Sequence, residues 1–189
     1  SIGYSAYREC YNMQMVNISD LTAWCNIYFA NEQANPLYYA KDLYLNGELV
    51  TELVIPRGVE SVDNYAFYNC EHLLSVSFPK CTTAGASVFQ NATNLASVYL
   101  PNLTEIAGLS CFWGVNLTEL FLPNLTTISS SSSTFRNCSS LVTINLPKLS
   151  GTTINTRAFS GCSKLTTLIL GGSILNPLAN ATDVFAETP

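Results

Sequence analysis

Five prolines divide the chain into near-equal lengths. Pro56, Pro79, Pro101, Pro123 and Pro147 stand 23, 22, 22 and 24 residues apart. Each closes the same phrase: apolar, two residues, apolar, one residue, apolar, proline. The copies are Val50-Leu53-Ile55-Pro56, Leu73-Val76-Phe78-Pro79, Leu95-Val98-Leu100-Pro101, Leu117-Leu120-Leu122-Pro123 and Leu141-Ile144-Leu146-Pro147. A late copy, Leu165-Leu168-Leu170, has Gly171 in the proline's place, and an early one, Met13-Val16-Ile18, ends in Ser19. Residues two apart on a strand share a face, so each phrase predicts a short strand with inward pairs such as Leu120 and Leu122. Proline has no amide hydrogen to extend a ladder, so it stops the strand where the chain turns.

A second phrase precedes most of these strands. Phe67-Tyr68-Asn69-Cys70 begins six residues before Leu73, and Phe89-Gln90-Asn91-Ala92 keeps that offset from Leu95. Phe135-Arg136-Asn137-Cys138, Phe159-Ser160-Gly161-Cys162 and Tyr7-Arg8-Glu9-Cys10 do the same, while Cys111-Phe112-Trp113-Gly114 is shifted by one residue. A third apolar pair follows the proline: Val59 and Val62, Leu103 and Ile106, Leu125 and Ile128, Leu149 and Ile154. One such unit cannot bury its own apolar face, but stacked units share a continuous core. Each inward leucine then contributes very roughly 1.5–3 kcal/mol. Strands are therefore expected near Val16, Leu53, Val76, Val98, Leu120, Ile144 and Leu168, lying parallel in one sheet.

A leucine-rich strand recurring at this spacing falls in the leucine-rich repeat range of about 20–29 residues. The Leu-x-x-Leu-x-Leu-Pro and Phe-x-Asn-Cys phrases resemble those of BspA-like leucine-rich repeat proteins. So do the stretches Ile18-Ser19-Asp20-Leu21 to Trp24-Cys25, Asn35 to Ala40 and Leu43 to Val50. The resemblance implies a single leucine-rich repeat solenoid over 1–189, mostly β, with short helical turns. It also implies a secreted or cell-surface protein of bacterial type, an adhesin-like binder of host proteins or other cells, with no shared catalytic set.

Residues 19–48 interrupt the repeat. Ser19-Asp20 can cap a short helix at Leu21 to Cys25, and Asn31 to Pro36 reads as loop. Asn46-Gly47 suits a type I′ turn, giving a hairpin between Leu43–Leu45 and Glu48–Val50. The interruption is expected to be a structural variant of one coil rather than a ligand-shaping insertion, since long inserts cost little entropy. The serine run from Ser129 to Ser133 reads as a loop at the coil edge, because Ile128 and Phe135 keep the phase. Ala181 to Phe185 resembles the start of another second phrase with no strand after it, so the C-terminal end is expected to be truncated. The N-terminal residues lack the basic and apolar stretches of a signal peptide.

Composition narrows the function. With 48% hydrophobic and 11% charged residues, the chain has too much apolar and too little charged character for disorder. Thirteen acidic against eight basic side chains give a net charge of -5, which disfavours nucleic acid, whose phosphates need a basic patch. No apolar run reaches the roughly 18–20 residues of a membrane span. Seven cysteines and one histidine include no Cys-x-x-Cys, so no zinc site is expected. There is likewise no calcium-type Asp loop and no phosphate-binding glycine loop. Asn-x-Thr sequons such as Asn102-Leu103-Thr104 and Asn124-Leu125-Thr126 follow from the repeat itself.

Cys10, Cys70, Cys138 and Cys162 occupy one repeat position, where Ala92 also serves, so they read as small buried apolar groups and free thiols. His72 falls where other coils have Asn94, Ser140 and Lys164, and is expected to be exposed and non-catalytic. The outward strand positions carry the candidate site. One row runs Tyr44, Val54, Ser77, Tyr99, Phe121, Asn145, Ile169; beside it run Asp42, Glu52, Ser75, Ser97, Glu119, Thr143, Thr167. Aromatics on a polar rim suit binding, although Tyr and Phe also simply favour strands. Tyr44, Val54, Tyr99 and Phe121, with Glu52 and Glu119, are the candidate ligand-binding residues, with Tyr99 expected beside Phe121. The leading expectation is a non-enzymatic binding module, without cofactor, that meets a protein or cell-surface ligand. The alternative is a passive stalk.

Overall fold

The computed structural model describes residues 1–128, 133–149 and 157–171. Residues 129–132, Ile154 and Ala181 to Phe185 lie outside the described residues. In chain order the strands are β1 (Val16–Ile18), β2 (Leu43–Leu45), β3 (Glu48–Leu49), β4 (Glu52–Val54), β5 (Ser61–Val62), β6 (Ser75–Ser77) and β7 (Thr83–Ala84). They continue as β8 (Ser97–Tyr99), β9 (Glu105–Ile106), β10 (Glu119–Phe121), β11 (Thr127–Ile128), β12 (Thr143–Leu146) and β13 (Thr167–Leu170). All seven expected strand centres fall inside these elements. The molecule is a β-solenoid of the leucine-rich repeat kind, each coil stacking on the next through parallel strands.

Three walls enclose the core. The first is made by the proline-terminated strands. β4, β6 and β8 pair in parallel with Leu53, Val76 and Val98 in register. β10, β12 and β13 align Leu120, Ile144 and Leu168 in the same way. The second wall was foreseen only as an apolar pair. The two-residue strands β5, β7, β9 and β11 form a parallel sheet that aligns Val62, Ala84, Ile106 and Ile128.

The third wall is the corner built by the Phe phrase. Phe67, Phe89, Phe112, Phe135 and Phe159 are buried and stack ring on ring, with centroids 5.5–6.0 Å apart and planes within 25°. The phenylalanine amide of each coil donates to the next coil: Phe67 to Val88 O, Phe89 to Cys111 O, Phe112 to Thr134 O and Phe135 to Ala158 O, all at 3.0 Å. The residue two beyond each Phe adopts a left-handed backbone: Asn69 (φ 57°), Asn91 (59°), Gly114 (73°), Asn137 (58°) and Gly161 (76°). Left-handed geometry penalises side chains other than glycine, and asparagine least among the rest. That is why the phrase reads Asn or Gly here.

Residues 19–48 make one enlarged coil, since β1 and β2 pair directly, Val16 opposite Leu43. Helix α1 (Leu21–Cys25) is capped as expected, Asp20 Oδ1 accepting from Ala23 N at 3.0 Å. Two helical pieces replace the expected loop and its continuation: a 3-10 turn at Glu32–Ala34 and helix α2 (Leu37–Ala40). They carry Ala34 and Leu37 into the core, where Phe29, bridged to Ile2, is also buried, and Trp24 Nε1 donates to Ala66 O at 2.9 Å. The hairpin forms as read, with Asn46 and Gly47 both at positive φ (53° and 87°).

The expected single sheet does not form. Among the described residues no ladder joins β8 to β10, so Tyr99 and Phe121 end separate three-stranded sheets instead of sitting side by side in one. The shifted phrase explains it. Phe112 leaves five residues to Leu117 where other coils have six, and the turn that leads into the other strands is missing at 115–117.

All seven cysteines are free thiols. Cys70, Cys138 and Cys162 are buried as expected, and the Sγ atoms of Cys138 and Cys162 donate to Phe112 O and Phe135 O, each at 3.0 Å. Cys10 departs from its set: it is exposed.

Candidate functional site

The pleat decides which strand residues face outward. On β4 and β10 the central leucine is buried while the residues on either side are exposed. The outward row on the first sheet runs Val54, Ser77, Tyr99, and on the second Phe121, Asn145, Ile169. Val54 is 69% exposed, Tyr99 58%, Phe121 56% and Ile169 44%. Each sheet thus carries two apolar side chains at its edges, separated by a smaller polar residue. With strands about 4.8 Å apart, the two lie roughly 9.5 Å from each other. The acidic row follows the same register: Glu52, Ser75, Ser97 on one sheet and Glu119, Thr143, Thr167 on the other. Glu52 and Glu119 are exposed.

Tyr44 stands apart from these rows. It is half-buried and lies in the sheet of β1, β2 and β3, between Asn17 and Leu49. The hairpin occupies the edge of β2 that a continuous row would have offered to β4. Two exposed apolar residues just before β6 and β12 were missed, Leu74 and Val142. The signal was the doubled apolar pair at the phrase start, Leu73-Leu74 and Leu141-Val142. Asn145 adds a polar feature: its Oδ1 is buried without a hydrogen-bond partner, an acceptor that a donor brought by a ligand can satisfy.

His72 is exposed, as expected, and its Nδ1 lies 2.7 Å from Asp42 Oδ1. The thiol near it in sequence, Cys70, is buried and pushed up to about 12 by burial. Burial also pushes Cys25 and Cys81 up to about 12. Thiols held this high supply almost no thiolate near neutral pH. Among the described residues no group of His, Cys, Asp and Glu is placed to hold a metal ion, and no helix is long and apolar enough to cross a membrane.

The sequence profile of the BspA type leucine rich repeat region matches in six copies over residues 1–132 and 39–166. No curated protein matches the sequence significantly. Among solved structures, a leucine rich repeat protein of T. pallidum is 25% identical with a TM-score of 0.51, covering 65% of this chain and 73% of that one. A leucine rich cell surface protein of Faecalibacterium prausnitzii A2-165 is 26% identical with a TM-score of 0.57, covering 74% of this chain and 35% of that one. A leucine-rich repeat protein of Bacteroides ovatus ATCC 8483 is 25% identical, also with a TM-score of 0.57, covering 85% and 40%. The chain therefore spans well under half the length of the latter two.

Proposed function

Because the chain belongs to the BspA-type leucine-rich repeat family, we propose that it is a non-enzymatic protein-binding module of a secreted or cell-surface protein. Its task is adhesion to host or matrix proteins or to other cells. The contact is made by the outward face of the two parallel sheets, with Val54, Tyr99, Phe121 and Ile169 as apolar anchors and Glu52 and Glu119 on the rim. Tyr44 is left outside this contact because it is half-buried. The observation that carries the reading is the exposure of these four apolar side chains on rigid strands. Preorganised anchors lose little entropy when a partner covers them. A passive spacer needs only small polar residues along the whole face, and Ser75, Ser77 and Ser97 fit that pattern, but Tyr99 and Phe121 do not. The surface location draws support from the cell-surface description of the Faecalibacterium protein.

The test is the Tyr99→Ala, Phe121→Ala double variant, first checked for an unchanged unfolding midpoint. Aromatic anchors often cost about 2 kcal/mol or more each when truncated, so adhesion to host cells or matrix proteins is expected to fall at least tenfold. Undiminished adhesion by the folded variant removes this face from the proposal.

A further inference from the structure

A second surface, independent of the sheet face, gathers tyrosines around one carboxylate. Nine of the ten tyrosines fall in the first 68 residues, and residues 1–72 carry nine acidic against three basic side chains. The fold collects several of them where the enlarged coil meets the first Phe corner. Asn35 Nδ2 donates to Tyr65 O at 2.6 Å, and Tyr38 N donates to Asn35 O at 3.0 Å. These bonds seat the 3-10 turn that bears Glu32 against the corner. The rings then run in a continuous line. Tyr11 meets Tyr39 edge-on at 5.4 Å, Tyr39 meets Tyr38 at 4.8 Å, Tyr38 stacks on Tyr68 at 6.0 Å, and Tyr68 meets Tyr65 at 6.0 Å.

The charges around this line are unbalanced. Arg8 is paired with Glu9 at 3.4 Å and Lys41 with Glu71 at 2.7 Å. Glu32 is half-buried and, among the described residues, has no ion pair. Its carbonyl accepts from Asn35 N at 3.1 Å, and the Asn35 side chain in turn holds Tyr65 O, which fixes Glu32 at the corner; burial first, then the Glu32 charge, pushes the Tyr65 and Tyr68 phenols up, Tyr68 to about 12. The phenols therefore stay neutral near neutral pH. Neutral aromatic rings attract cations through their faces, and a lone carboxylate supplies too few oxygens for a hard metal ion. An organic cation fits both.

We propose that this corner docks a basic segment of a protein partner, with a lysine or arginine side chain received by the Glu32 carboxylate beside the half-buried rings of Tyr38 and Tyr65, while Tyr68 lies buried behind them. The excess of acid over base across residues 1–72 favours a partner segment carrying several positive charges, and the attraction weakens as salt screens it.

The test titrates the full chain with a fluorescent lysine decapeptide at low ionic strength. Glu32→Gln keeps the shape and removes the charge; Glu48→Gln removes the same charge from the exposed hairpin. Glu32→Gln is expected to weaken binding about tenfold, Glu48→Gln less than twofold, and Tyr65→Leu severalfold, each with an unchanged unfolding midpoint. If Tyr65→Leu shifts the midpoint, the Glu32 and Glu48 pair decides alone. Equal weakening by the two glutamine variants means diffuse attraction to an acidic protein and overturns the proposal, as does parent-like binding by Glu32→Gln.

Discussion

Replacing Phe112 by alanine tests the stacked corner at its centre. The ring is fully buried and contacts Phe89 at 5.7 Å and Phe135 at 5.9 Å between centroids. Phe→Ala in a packed core costs about 3–5 kcal/mol, and aromatic pairs of this kind are worth about 0.5–1.5 kcal/mol beyond burial. In a solenoid each coil is held mainly by its two neighbours, so the loss falls on both interfaces of the central coil. With a urea slope of about 2 kcal/mol per molar, Phe112→Ala should lower the midpoint by roughly 1.5–2.5 M. Phe112→Leu keeps most of the apolar volume and forfeits the two stacked contacts, so it should lose about 1–3 kcal/mol, or roughly 0.5–1.5 M. Phe121→Ala, an exposed ring on the sheet face, should move the midpoint by less than about 0.25 M. The assay is equilibrium urea unfolding followed by far-UV circular dichroism. A shift below about 0.5 M for Phe112→Ala, or one matching that of Phe121→Ala, refutes the reasoning. A smaller slope in Phe112→Ala would instead mean that the stack unfolds in two parts.

Leu120→Ala opens a cavity beneath the second sheet and should cost about 2–5 kcal/mol, whereas Glu119→Ala, one residue away and facing solvent, should stay within about 0.5 kcal/mol. Equal midpoint shifts would contradict the strand phase. Native alkylation should label Cys10 alone, with the other six thiols reacting only in denaturant. Below about pH 9 the folded and unfolded chains both keep their thiol protons. Above it the unfolded thiols release them, while Cys25, Cys70 and Cys81 hold theirs up to about 12. Stability should therefore fall as pH rises through that window, by about 1.4 kcal/mol per pH unit for each thiol. Midpoints unchanged between pH 8 and pH 10 would contradict this.

The strand positions were legible because each proline ends a phrase whose inward residues recur at fixed intervals. A period that survives from Leu53 to Leu168 leaves no other way to bury all these phrases at once. The left-handed corners were half legible: Asn and Gly alternate at the third place of the Phe phrase, which is the chemistry of a positive φ. The sheet of β5, β7, β9 and β11 was harder to see, since strands of two residues carry a single inward side chain each and no alternation to count. Among the candidate binding residues, Val54, Tyr99, Phe121, Glu52 and Glu119 are exposed where the strand period placed them. Tyr44 is half-buried, because the Asn46-Gly47 hairpin closes the edge of its strand.

What the sequence alone determined, then, is the repeat: which residues face the core and where each strand stops. These are properties of single coils, and a coil's pattern is written in consecutive residues. Only the tertiary structure decided how the coils join. The break between β8 and β10 depends on one residue missing from a link, a length difference whose effect appears only when neighbouring coils try to pair. The tyrosine corner likewise brings residues 11, 32, 38, 39, 65 and 68 together across separate coils. Nothing in the local pattern of any one of them records that meeting, because it is made by stacking.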